Sequence, residues 1–206
     1  MTNLDPLFGY IIAGGHARRM DGRAKGLLQV GGVPVLARAK ARLAPQVDRL
    51  VLNTNLPATE FTALGIDTLA DDPGSGEGPL AGLLSCLAHG AAQSPTPPAI
   101  LTVPGDCPFL PEDLIARLKE GLGNGNAAVA TSGGRLHPLT GLWRVDLLPR
   151  LQMAIQEQGL RRARDWATDI GAAQVAFPAE PYDPFLNINT PDDLARAEAL
   201  AAQFEL

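Results

Sequence analysis

Short apolar runs and helically spaced apolar positions alternate along this chain, with polar loops between them. Leu7 to Ile12 is a continuous apolar stretch of the kind a buried strand requires. Pro34, Val35, Leu36, Ala39 and Leu43 then follow helical spacing, with the proline in the first turn. Leu50-Val51-Leu52 returns to strand, and Ala58 to Leu64 carries a short helical pattern that leads to Ile66. Pro79 opens a second helix, whose Leu80, Leu83, Leu84 and Leu87 share one face. After a proline-rich link from Ser94 to Pro98, Ala99 to Val103 reads as the next strand. A further helix begins near Pro111 with Leu114, Ile115 and Leu118 as its stripe, and Ala127 to Ala130 reads as strand again. Near the end, Thr190 has the place of an N-cap, Pro191 that of the first helical residue and Asp193 that of the acidic partner. A final alanine-rich helix therefore follows.

Strands separated by helices in this order fit right-handed βαβ crossovers. The predicted fold class is α/β, a three-layer α/β/α sandwich around a mostly parallel, Rossmann-like sheet. Ligands of such folds sit beyond the carboxyl ends of the strands. The loops after Ile12, after Leu52, before Pro79 and after Val103 are thus expected to converge on one crevice.

Composition narrows the class. With 206 residues, 46% of them hydrophobic and 19% charged, the chain can bury a substantial core, and one domain over residues 1–206 is expected. The sequence has neither a long apolar run suited to spanning a membrane nor the basic-then-apolar start of a secretory signal, so a cytoplasmic protein is expected. Cys86 and Cys107 are far apart and lack zinc-like spacing, which reads as ordinary reduced thiols. A net charge of −5 argues against a nucleic-acid partner, which would need a basic face.

Against that acidic background, Arg18, Arg19, Arg23 and Lys25 crowd one glycine-rich loop in which Asp21 is the only acid. Gly14 and Gly15 on their own would serve a plain tight turn equally well. With the cations beside them they read as a polyphosphate site, since glycine lets backbone N–H groups approach an anion and arginine forks onto phosphate oxygens. The loop lacks the Gly-Lys-Ser/Thr ending of a P-loop and the third glycine of a dinucleotide fingerprint. Asp106, at the end of an apolar strand and between Pro104 and Pro108, is suited either to organising a turn or to holding Mg²⁺. The cationic loop favours the metal, because magnesium prefers one or two carboxylates together with phosphate oxygens and water. Asp71-Asp72 reads as a solvated acidic turn, or as a carboxylate that accepts two N–H donors from a guanine edge, and Asn53 and Asn55, at a strand end, read either as similar contacts or as caps of the turn. No Ser/His/Asp or Cys/His arrangement is justified by spacing. His89 reads as a surface residue, His137 equally as a substrate contact or a buried structural histidine, and Trp143 and Trp166 as packing residues.

Taken in order, Ile12-Ala13-Gly14-Gly15 through Arg19-Met20 to Lys25-Gly26, Asn53, Gly78-Pro79-Leu80-Ala81-Gly82, Pro104-Gly105-Asp106-Cys107-Pro108 and Asn187-Ile188-Asn189-Thr190-Pro191 resemble the MobA family of molybdenum cofactor guanylyltransferases. The resemblance implies a sandwich of the nucleotide-diphospho-sugar transferase type. It also implies transfer of GMP from GTP to the terminal phosphate of molybdenum-molybdopterin cofactor, with release of pyrophosphate. Carried over residue by residue, Ile12, Ala13, Gly14 and Gly15 would meet the nucleotide, Lys25 and Arg19 its phosphates, and Asn53 and Asp71 the rest of GTP. Asp106 would hold Mg²⁺, and Asn187 and Asn189 would face the pterin. Arg19, Lys25 and Asp106 form the implied catalytic set. The implied partners are the two substrates, with transient contact to cofactor-delivery proteins and target molybdoenzymes. Ala13-Gly14-Gly15, rather than Ala-Ala-Gly, is similar to the guanine-using members. Asp21-Gly22 and Ala24 depart from the family's usual Gly-Gly and Asp, which leaves the loop's internal pairing open. A cytidylyltransferase, a sugar- or polyol-phosphate nucleotidyltransferase and a non-catalytic nucleotide-binding regulator remain alternatives.

Overall fold

The computed structural model describes residues 4–13, 24–72 and 78–206. In chain order the strands are β1 (Phe8–Ile12), β2 (Gln29–Val30), β3 (Val33–Pro34), β4 (Arg49–Asn53), β5 (Asp67–Leu69), β6 (Ala99–Pro104), β7 (Ala127–Ser132), β8 (Arg135–Arg144) and β9 (Ala173–Phe177). The helices are α1 (Val35–Leu43), α2 (Pro79–Ala91), α3 (Leu114–Leu122), α4 (Leu148–Gln156), α5 (Ala163–Asp169) and α6 (Pro191–Phe204). The main sheet has the order β5-β4-β1-β6-β8-β7-β9, and β2 with β3 forms a small separate hairpin.

β1 is apolar throughout because both of its faces are covered, as expected of a central parallel strand. Ile11, Leu52 and Leu101 bury one face of the sheet against Leu36 and Leu43 of α1 and Leu114 and Leu118 of α3. Tyr10, Val51 and Ile100 bury the other against Leu83 and Leu87 of α2, Leu151 of α4 and Trp166 of α5. This is the expected three-layer sandwich. A third cluster, Val30, Val35, Phe109, Ile188, Ala197 and Ala201, fastens α6 to the small hairpin and to the segment after Asp106.

The expected elements form with small shifts in their ends. Ala58–Leu64 is a 3-10 helix closed by Gly65 in the left-handed region, φ 54°. The capping box at α6 is complete: Asp193 N–H donates to Thr190 Oγ1 (3.2 Å) and Thr190 N–H donates to Asp193 Oδ2 (2.8 Å).

Parallel pairing does not extend across the whole sheet. β8 runs antiparallel to both β6 and β7. The cause is the turn Gly133-Gly134, with φ of 52° and 74°, which is the backbone a two-residue hairpin demands. β8 then departs from β7 after His137: Ala130 pairs with His137 but Val129 pairs with Gly141, so Pro138, Leu139 and Thr140 bulge out of the ladder. The bulge is held by Thr102, whose hydroxyl donates to Leu139 O (2.8 Å) and accepts from Trp143 Nε1 (2.8 Å). Trp143 and Trp166 are packing residues, and both cysteines are free and buried, as expected. His89 is not a surface residue. It is half-buried, with Tyr10 Oη 2.8 Å from Nδ1 and Gln93 Nε2 3.3 Å from Nε2. Among the described residues, no helix is long and apolar enough to cross a membrane.

Candidate active site

The carboxyl ends of β1, β4 and β6 meet in one place. Backbone pairing continues past them, with Ala13 N–H donating to Asn53 O (2.8 Å) and Gly105 N–H to Ile12 O (2.9 Å). A cleft of about 310 Å³ opens there, lined by Ile12, Ala13, Lys25, Gly26, Gly78, Pro79, Pro104, Gly105, Asp106, Leu139 and Asn189. Of the four loops expected to converge there, those after Ile12, before Pro79 and after Val103 do so in their described residues, whereas the loop after Leu52 does not line the cleft. Gly14, Gly15 and Arg19 lie outside the described residues.

Lys25 owes its place to its neighbour. A Cβ on Gly26 would come within 2.5 Å of Leu36 Cγ, so glycine lets the turn Lys25–Leu27 rest on α1. The Lys25 ammonium then donates to Asn189 Oδ1 (2.9 Å). Asp106 lines the same cleft, half-buried, and Ile188 N–H donates to its backbone carbonyl (3.0 Å), which ties the 187–189 segment to the Asp106 loop. Burial pushes the Asp106 carboxyl above the usual carboxylate range, and the positive charge of Lys25 pulls it back. That balance makes the position receptive to a cation.

Asn53 and Asp71 do not line the cleft. They stand behind it as a hydrogen-bonded unit. Asn53 is fully buried and donates from Nδ2 to Asp71 Oδ1 (2.8 Å) and Leu69 O (3.2 Å). Asn55 donates to Asp71 Oδ2 (2.9 Å), and its Oδ1 accepts from Asp71 N–H (2.9 Å). The Asp71 carboxylate is thus clamped at both oxygens beside the end of β4. α2 presses on this unit from the other side, since a Cβ on Gly82 would lie 2.7 Å from Asn53 Oδ1.

Asn187 and Asn189, adjacent in sequence, are divided between two clefts. Asn189 faces Lys25 in the first. Asn187 lines a second, of about 550 Å³, together with His137, Arg135, Arg161, Arg162 and Arg164. Pro79, Pro104, Asp106 and Leu139 border both, so the β8 bulge and Asp106 form the shared wall. The sequence reading missed these arginines. Arg161-Arg162-Ala163-Arg164 is a local cation cluster like that of the opening loop, but α5 behind it is too short to give a pattern. Arg161 is partly committed to structure, donating to the carbonyls of Ile155 (2.9 Å) and Leu160 (2.8 Å). Arg135, Arg162 and Arg164 remain exposed at the cleft.

A cleft with the Lys25 ammonium and a second, arginine-lined cleft, meeting at one carboxylate, suit a reaction between two anions. The MobA-like NTP transferase domain matches residues 9–170. The chain belongs to that family. A molybdenum cofactor guanylyltransferase of Nitrobacter hamburgensis is 42% identical over 201 residues, covering 97% of this chain and 96% of that protein. Another, from Cereibacter sphaeroides, is 43% identical over 194 residues, covering 94% and 96%. The crystal structure of molybdopterin-guanine dinucleotide biosynthesis protein A from Archaeoglobus fulgidus superposes with a TM-score of 0.71 at 23% identity, covering 95% of this chain and 99% of that one. As a MobA-like NTP transferase the protein is a nucleotidyltransferase.

Proposed function

We propose that the protein transfers GMP from GTP to the terminal phosphate of molybdenum-molybdopterin cofactor. An oxygen of the acceptor phosphate bonds to the α-phosphorus of GTP as the bond from that phosphorus to the β-phosphate oxygen breaks. Pyrophosphate leaves with the bonding pair, and the guanine dinucleotide cofactor results. The observation that carries this reading is the shared border at Asp106, which lets a triphosphate on the Lys25 side and an anionic acceptor on the arginine side approach each other. Relatives at 42–43% identity over nearly the whole chain bear the guanylyltransferase name, which supports GTP over CTP. In this reading residues 1–206 act as one nucleotidyltransferase domain.

Lys25, with Arg19, neutralises the triphosphate. Ile12, Ala13, Gly14 and Gly15 offer backbone to it, and Asp71, half-buried and held by Asn53 and Asn55, receives the base. Asn189 steadies Lys25, and Asn187 faces the acceptor. Nucleotidyltransferases of this family generally use a divalent metal. In this reading Asp106, the carboxylate that borders both clefts, is its protein ligand. That donor set fits Mg²⁺, which takes one or two carboxylates and fills its remaining positions with phosphate oxygens and water. A bound Mg²⁺ would offset the charge that gathers on the departing pyrophosphate. Catalysis needs no covalent nucleophile, only positioning and charge. The reading also includes a cytoplasmic setting and transient contact with proteins that deliver the pterin and molybdoenzymes that take the product.

The test incubates protein, Mg²⁺ and molybdenum-molybdopterin with GTP labelled at the α- or at the γ-phosphate. The α label is expected in the dinucleotide and the γ label in pyrophosphate, with CTP a poor substitute. Label passing to water alone, or equal use of CTP, would contradict the proposal.

A further inference from the structure

His137 sits where β8 leaves the ladder, and its ring lines the arginine-rich cleft. Three observations fix its chemistry. Its Nε2 lies 2.7 Å from Ser132 Oγ. Ser132, itself buried, donates its hydroxyl to Asp183 Oδ1 (2.7 Å), an oxygen that also accepts from Phe185 N–H (2.9 Å). The imidazole leans on the Phe185 ring, centroids 4.7 Å apart, so its rotation is restrained. A serine hydroxyl has one proton. With that proton given to Asp183, the contact to His137 is made only if Nε2 carries a hydrogen and donates it to Oγ. In the neutral ring the other nitrogen, Nδ1, is then an acceptor. Among the described residues it takes no hydrogen bond. Burial shifts the ring toward its neutral form, opposed by Asp183 and aided by Arg135 and Arg164.

The surrounding arginines can only donate, so they suit phosphate oxygens. They cannot receive an N–H. We propose that His137 is a specificity-determining contact of the acceptor cleft, its Nδ1 accepting a hydrogen bond from a neutral N–H or O–H group of the acceptor molecule, with Ser132 and Asp183 as positioning residues that set the tautomer. This rests on reading that cleft as the acceptor's. The ligand class it selects is a phosphomonoester that also carries a neutral N–H or O–H donor. An acceptor without such a donor would leave a half-buried nitrogen unpaired.

The inference is tested in two ways that do not depend on each other. Nitrogen NMR of the full-length protein with labelled histidine is expected to show His137 Nε2 protonated and Nδ1 bare, with the Nδ1 signal moving when molybdenum-molybdopterin is added without GTP. In steady-state transfer assays, His137→Ala is expected to raise the acceptor KM roughly tenfold while leaving the GTP KM unchanged. His137→Asn, whose amide oxygen reaches close to the position of Nδ1, should recover most of the loss. Ser132→Ala should give a smaller rise, and none when added to His137→Ala. A protonated Nδ1 in the free protein, or an acceptor KM unchanged in His137→Ala, would overturn the inference. Failure of the wild-type protein to transfer GMP would instead overturn the proposed function, and the NMR result would still decide the tautomer.

Discussion

Asp106 is held in an environment that works against its charge, with burial raising its pKa and Lys25 lowering it. A carboxyl whose pKa is higher in the folded than in the unfolded chain favours folding while protonated, and that contribution is lost as pH rises through the folded value. Above the folded value the metal-free protein therefore carries a half-buried charge at a cost. Asp106→Asn is expected to abolish nucleotidyl transfer and yet raise the metal-free melting temperature at pH 7, with the gain vanishing toward pH 4; calorimetry across that range checks both. Removing Lys25 acts in the opposite sense, pushing the Asp106 pKa higher still. Lys25→Ala should lower kcat by about 10²–10³, the usual loss for one group that stabilises developing charge, and move the acid limb of the rate profile to higher pH. Both residues were legible in the sequence because their chemistry is local: a lysine in a cationic glycine loop, an aspartate at a strand end. The separate destinations of Asn187 and Asn189 were not legible. Their segment is neither helix nor strand, so no periodicity assigns either side chain to a side.

Elements with a clear period announced themselves. α1, α2 and α3 each bury the stripe that their leucines outline, and the Thr190–Asp193 box starts α6 where expected. β8 is different, because its direction follows from Gly133-Gly134 and its shape from a bulge that tertiary contacts with Thr102 maintain. Neither leaves a hydrophobic period, and the three residues of β5 are too few to carry one. Two changes test how elements hold the site. Thr190→Ala should cost about 1 kcal/mol in denaturant unfolding, typical of a lost N-cap, and weaken GTP binding modestly because Asn189 N–H also donates to Asp193 Oδ2 (2.9 Å). Gly82→Ala should raise the GTP KM, since the new methyl would lie 2.7 Å from Asn53 Oδ1, behind the cleft, and 2.9 Å from Ile12 Cγ2, which lines it. An unchanged GTP KM in Gly82→Ala would separate Asn53 from nucleotide recognition.

Across the whole molecule, strand order decides where chemistry occurs. Parallel β4, β1 and β6 present their carboxyl ends together, and antiparallel β8 brings its bulge and His137 beside them. Residues from positions 12, 25, 106, 139 and 189 thereby share one cleft, and residues 135, 137, 162, 164 and 187 the next. Of the first grouping, positions 12, 25 and 106 could be anticipated from the rule for open α/β sheets. The second could not, because it depends on a reversal of strand direction that the alternation of strands and helices conceals. The most direct test is a crystal structure of the protein with Mg²⁺ and a GTP analogue whose α–β bridging oxygen is replaced by methylene. The triphosphate is expected between Lys25 and Asp106, its α-phosphorus turned toward the arginine-lined cleft and guanine beside Asp71. Density for the triphosphate among Arg135, Arg162 and Arg164 would contradict the account.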